Sequence, residues 1–169
     1  MAELPPIGAE IPCSSIADAS LQMGSDTVQV TLRGGFKHRA EANPDDPARS
    51  VRMRLTGLKY SGEIPGDTVT LELDGSDADP KGLLTQTQKF PPKFEHRVDL
   101  STCTLTFARP GSTLVLTPKG DAVLVARLSQ FPPRGDLYEL AAPVEFVDPA
   151  MPDSIAAVLE KFPAKVGGL

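Results

Sequence analysis

The sequence contains no tryptophan, and aromatic residues make up only 5% of its 169 positions. Large flat side chains are what most carbohydrate-binding surfaces stack sugars against, so this chain is poorly equipped for that role. Positive charge is also short. Seventeen Lys and Arg face 22 Asp and Glu, for a net charge of −5. Binding to nucleic acid or to an anionic membrane needs clustered cations that displace counterions, and none cluster here. Neither partner is expected.

Long apolar runs are missing as well. The densest aliphatic stretch, residues 122–126 (Ala-Val-Leu-Val-Ala), is far too short to cross a bilayer as a helix. The first residues, Met1-Ala2-Glu3-Leu4-Pro5-Pro6, carry neither a basic nor an apolar signal region. The expected location is therefore cytoplasmic. In that compartment a Cys13–Cys103 disulfide is disfavoured. Cys103, among strand-like residues, reads as a small buried hydrophobe.

Familiar catalytic signatures are absent too. No glycine-rich phosphate loop, G-x-S-x-G elbow, H-E-x-x-H pair or kinase signature occurs. No CxxC or Cys/His cluster suggests zinc. The run Asp77-Ala78-Asp79-Pro80-Lys81-Gly82 starts like a calcium loop but places Lys81 where an oxygen ligand belongs. Gln88 stands where the bidentate glutamate should be. No metal and no cofactor are expected. Arg134-Gly135-Asp136 spells an integrin-type tripeptide, which carries little weight in a chain expected to stay in the cytoplasm.

What the chain has is punctuation and alternation. Seventeen prolines and 14 glycines are spread along it rather than concentrated. Between them the apolar residues recur with period two, the signature of half-buried strands. Ala17, Ala19, Leu21 and Met23 lead through Gly24-Ser25-Asp26 to Val28, Val30 and Leu32, which predicts a hairpin with a three-residue loop. Residues 40–49 form a loop. Val51, Met53 and Leu55 alternate next, and Val69, Leu71 and Leu73 follow a turn at residues 64–67. Phe94, His96, Val98 and Leu100 share one parity, and Cys103, Leu105 and Phe107 resume it after a slip at Ser101-Thr102 that suggests a β-bulge. Turns at residues 109–112 and 118–121 extend this into an antiparallel meander over residues 94–129. Residues 137–147 add a strand interrupted by Pro143.

Residues 153–162 predict the one helix. Asp153 or Ser154 caps it, Ile155, Val158 and Leu159 make a helical stripe, and Pro163 stops it. The expectation is a single all-β, mainly antiparallel domain over residues 1–169, irregular through residue 15. About eight or nine strands would form a closed barrel-like sheet or a two-sheet sandwich, followed by the short C-terminal helix. Closure is favoured because long alternating strands leave edges that need protection. A chain of this length buries roughly 70% of its unfolded surface and needs no staple.

Three corners repeat: Lys89-Phe90-Pro91-Pro92-Lys93, Gln130-Phe131-Pro132-Pro133-Arg134 and Lys161-Phe162-Pro163-Ala164-Lys165. The mechanical reading is a core-anchoring Phe followed by a proline that cannot extend a ladder. The candidate chemistry rests on His38 and His96, the only histidines, both on inward parity, with Tyr60 and Tyr138 as assisting groups. Histidine suits acid–base work near neutral pH, although a hydrogen-bonded interior histidine is the plainer reading. Arg33, Arg52 and Arg54 fall on the polar face and read as solvated charges. Two functions follow. The first is a small apolar molecule held in the interior, with cofactor-free isomerisation or cyclisation by His96, His38, Tyr60 or Tyr138 as its catalytic form. The second is a structural or protein-interaction module with a filled core. Oligomerisation stays open in both.

Overall fold

The structure is a computed structural model and describes residues 3–74 and 82–168. The described residues form an antiparallel sheet of 13 strands and no helix. The strands are β1 (Glu10–Met23), β2 (Asp26–Ala42), β3 (Ser50–Ile64), β4 (Asp67–Leu73), β5 (Leu83–Lys89), β6 (Pro92–Asp99) and β7 (Cys103–Arg109). They continue as β8 (Ser112–Pro118), β9 (Val123–Leu128), β10 (Asp136–Leu140), β11 (Val144–Val147), β12 (Ile155–Lys161) and β13 (Ala164–Val166).

The pairings close this sheet on itself twice. One circuit runs β1-β2-β3-β4-β7-β8-β11-β12 and back to β1; we call it ring I. The other runs β1-β2-β3-β5-β6-β9-β10-β13 and back to β1, and is ring II. Three long strands are shared, each half serving a different ring. Positions 15–17 of β1 pair with β13, whereas positions 20–22 pair with β12. Positions 50–52 of β3 pair with β5, whereas positions 59–64 pair with β4. Beyond β3 the chain shuttles, laying β4 in ring I, β5 and β6 in ring II, β7 and β8 in ring I, β9 and β10 in ring II, β11 and β12 in ring I, and β13 in ring II.

Where the shared strands change rings, their backbones press together. A Cβ on Gly34 would lie 1.8 Å from the Lys59 carbonyl oxygen, and one on Gly35 would lie 2.1 Å from that of Cys13. Only glycine fits so close a crossing. The inward parity survives it. Val30 and Leu32 are buried on one side, and Phe36, His38 and Ala40 on the other.

This topology corrects several expectations. The sheet has more strands than eight or nine, and it is ring-like. Residues 153–162 are not helical. Ile155–Lys161 is a strand, laddered on one side to β1 and on the other to β11. A ten-residue helix has little stability of its own, whereas two waiting strand edges satisfy the same backbone on both sides. Ala157 and Leu159 accordingly point inward with period two. The irregular N-terminal stretch ends sooner than expected, because β1 begins at Glu10. The hairpin loop between β1 and β2 is two residues, since Met23 pairs with Asp26 and Gly24 takes φ +65°.

The slip near Ser101-Thr102 is a change of ring and not a bulge, for β6 and β7 do not pair with each other. The meander is split likewise: β6 pairs with β9, and the β7–β8 hairpin belongs to ring I. Polar β5 is a strand that the alternation did not reveal. The Phe-Pro corners also differ among themselves. Phe162 is buried and Phe131 half-buried, but Phe90 is 90% exposed at its hairpin tip, so the anchoring reading fails there. Most of the calcium-like run, Asp77 to Lys81, lies outside the described residues. Cys13 and Cys103 are both buried free thiols. Among the described residues no helix is long and apolar enough to cross a membrane.

Candidate functional site

Three strands of ring II bring three of the four candidate side chains together. His38 of β2 lies beside a bulge at Thr56 of β3, between Ile11 of β1 and Leu55 of β3. His96 lies mid-strand in β6, between Leu84 of β5 and Ala126 of β9. Tyr138 is in β10, opposite Ala164 of β13. Inward parity on each strand drives all three into the same interior, where their residues are at most 1% exposed.

The contacts are specific. Tyr138 Oη lies 2.6 Å from His96 Nδ1. The His38 and His96 rings meet edge-on with centroids 5.2 Å apart. Phe36 packs against His38 at 5.1 Å and Phe131 against His96 at 5.6 Å. Neither Phe was singled out as a site residue from sequence. Phe36 shares the parity of His38 on β2, and Phe131 sits at a Phe-Pro corner, so both signals were present without pointing to this cluster.

Two interior atoms of the cluster have no hydrogen-bond partner: Nε2 of His38 and Nε2 of His96. Tyr60, the fourth candidate, lies apart and stacks edge-on with Phe162 at 5.1 Å. The Ser15 hydroxyl faces Tyr60 closely enough to offset part of the shift that burial imposes on the phenol. Even so, neither oxygen reaches hydrogen-bonding geometry with any partner.

Burial sets the electrostatics. It lowers His38 from 6.5 to about 4. It takes His96 well below 6.5, helped by the neighbouring His38. Both imidazoles are therefore neutral at neutral pH. Burial pushes the Tyr138 and Tyr60 phenols up, so both stay protonated. It also raises Cys13 to about 11 and, with Asp99, Cys103 to about 12, which leaves neither a reactive thiolate. Among the described residues no three His, Cys, Asp or Glu side chains gather as a metal site would require. The arginines stay on the outer face, Arg54 paired with Glu41 at 2.7 Å and Arg52 with Asp45 at 3.7 Å.

Ring II is loosely closed beside this cluster. Only Glu139 and Leu140 of β10 pair with β9, so the two strands part towards residues 129–135. A hollow of about 560 Å³ lies on the outside of the ring wall there, lined by Thr87, Lys93, Glu95, Arg127, Ser129 and Asp136 with Phe94 and Leu128 at its floor; none of His38, His96 and Tyr138 lines it. Phe94 and Leu128 pair across β6 and β9 and form the next inward pair along from His96 and Ala126. Phe131, from the connection that follows β9, packs over His96.

Fold and site together define a closed antiparallel β protein with a neutral polar cluster inside one of its rings. Among solved structures the chain resembles DynF from the dynemicin biosynthesis pathway of Micromonospora chersina, with a TM-score of 0.76. The similarity covers 99% of this chain and 84% of that one at 17% sequence identity, so what is shared is the fold. No protein-family model and no curated protein matches the sequence.

Proposed function

We propose that this chain binds a small, largely apolar molecule inside ring II, with His38, His96 and Tyr138 as the polar wall of the site. The observation that carries this reading is the pair of buried, unpartnered imidazole nitrogens in an interior otherwise built from Phe, Leu, Val and Met. Each orphaned polar atom costs about 1–3 kcal/mol, and a bound molecule that supplies a partner recovers that cost. The approach would run from the hollow over Phe94 and Leu128, which are the next inward pair along from His96, past Phe131, which is half-buried and covers His96. A protein of a biosynthesis pathway with the same architecture supports the reading. Its catalytic form is a cofactor-free isomerisation or cyclisation, in which ring II shapes and desolvates the substrate and the neutral imidazoles move a proton.

Methyl NMR under dissolved xenon tests the binding. Shifts are expected at Met53, Leu84 and Leu124, which line ring II. A spectrum in which these methyls do not move overturns the reading, because xenon enters apolar space wherever the interior can open. The second reading, a filled core serving protein interaction, is favoured by β8. Its residues beyond the short pairing with β11 leave Leu114 and Val115 exposed.

A further inference from the structure

The hydrogen-bond geometry of the cluster restricts what the ligand can be. Tyr138 has one proton and His96, being neutral, has one. If His96 Nδ1–H donated to Tyr138 Oη, the phenol proton would be left without an acceptor in a fully buried site, and the Nε2 lone pair would be orphaned as well. If Tyr138 donates to Nδ1, its proton is satisfied and the imidazole proton moves to Nε2. Each arrangement leaves one buried donor unpaired, but the first orphans the Nε2 lone pair as well, so the second is the state the fold stabilises. His96 therefore holds an Nε2–H donor in the interior with no acceptor in the protein. His38 Nε2, on the facing ring, lacks a partner too.

Among the described residues no charged side chain is buried with the two imidazoles; the charge that reaches the cluster is that of Asp136, half-buried at the edge of ring II, which helps to raise the Tyr138 phenol. Among the described residues the buried polar ones are Ser15, Ser20, His38, Asn43, Ser50 and His96, with no Lys, Arg, Asp or Glu. A carboxylate or phosphate brought here would be desolvated against two neutral imidazoles, at a cost they cannot offset. We infer that the ligand of ring II is an apolar molecule whose buried end carries one uncharged oxygen, a carbonyl or hydroxyl, which accepts the hydrogen bond of His96 Nε2–H. This rests on the interior-binding reading above and narrows it to a chemical class. A carbonyl accepts from both rings if His38 also carries its proton on Nε2. A hydroxyl accepts from His96 and donates to His38 if it does not.

Three bicyclic probes of one skeleton separate these cases on the intact chain: tetralin, α-tetralone and α-tetralol. Titration followed by long-range proton–nitrogen NMR should show His96 protonated on Nε2. One or both oxygenated probes should bind about tenfold tighter than tetralin, the tighter of the two identifying carbonyl or hydroxyl. His96→Phe should abolish the preference for oxygen, and His96→Gln, which keeps a donor near the same place, should restore part of it. Equal affinities for all three probes would overturn the oxygen assignment while leaving interior binding intact, as would His96 protonated on Nδ1 in the wild-type spectrum. If no probe binds, the interior reading itself falls. The nitrogen spectrum of the unmodified chain decides the tautomer even if the substituted chains do not fold.

Discussion

Removing the Tyr138 hydroxyl tests the central contact while leaving the surrounding packing in place. Phe at position 138 keeps the ring that packs against Phe36 at 6.1 Å and His96 at 5.3 Å. What it removes is the 2.6 Å hydrogen bond to His96 Nδ1. Residue 138 is 0% exposed, so solvent does not replace the lost partner. A buried acceptor left unpaired costs about 1–3 kcal/mol. For a chain of this size each kcal/mol moves the melting temperature by about 2–4 °C, so Tyr138→Phe should lower it by about 2–12 °C. Tyr60→Phe is the matched comparison, being equally buried but with an oxygen that has no hydrogen-bond partner. It should be neutral or slightly stabilising, because it removes an orphaned group. Urea unfolding of both chains, with unchanged m-values, gives the two free energies directly. Equal costs for the two substitutions would refute the reasoning, since only one of them breaks a bond.

Three further outcomes follow from the same geometry. Burial holds His38 at about 4 and His96 well below 6.5, so below about pH 6.5 the unfolded chain binds protons that the folded chain refuses. Stability is then complete above that pH and falls on acidification, His38 alone contributing a loss of about 3 kcal/mol by about pH 4. Denaturant titrations that are flat between about pH 7 and pH 5 would contradict this, and His38→Leu should reduce the slope. Gly35→Ala puts a Cβ 2.1 Å from the Cys13 carbonyl and should cost more than about 2 kcal/mol. Gly120→Ala, which meets nothing within 4 Å, should stay within about 0.5 kcal/mol of wild type in the same urea assay. Far-UV circular dichroism should show a β spectrum with no helical double minimum. Helical signal that disappears on deleting residues 153–162 would contradict the strand assignment of Ile155–Lys161.

Much of this protein was legible along the chain. Alternation at Val28, Val30 and Leu32, and again at Phe94, His96 and Val98, marks strands because successive side chains point to opposite faces. The same periodicity puts His38 and His96 on the inward face, and both are buried. Glycine and proline mark most turns correctly, among them Gly66 with φ +86° and Gly111 with φ +79°. Local rules of this kind depend only on neighbouring residues, so one strand is enough to read them.

Tertiary structure decided the rest, since parity specifies a face and says nothing of a partner. Leu105 and Val98 look alike in sequence, yet β7 joins ring I and β6 joins ring II. The two tyrosines were indistinguishable as candidates. The ring assignment of β10 sends Tyr138 to His96, whereas Tyr60 lies on the half of β3 that pairs with β4 and meets Phe162 instead. Residues 155–161 carry apolar groups compatible with either period, and the free edges of β1 and β11 tip them into a strand. The sequence by itself determined a β protein with inward histidines. Only the long-range pairing that closes two rings around shared strands set which interior they occupy, and that one tyrosine reaches them.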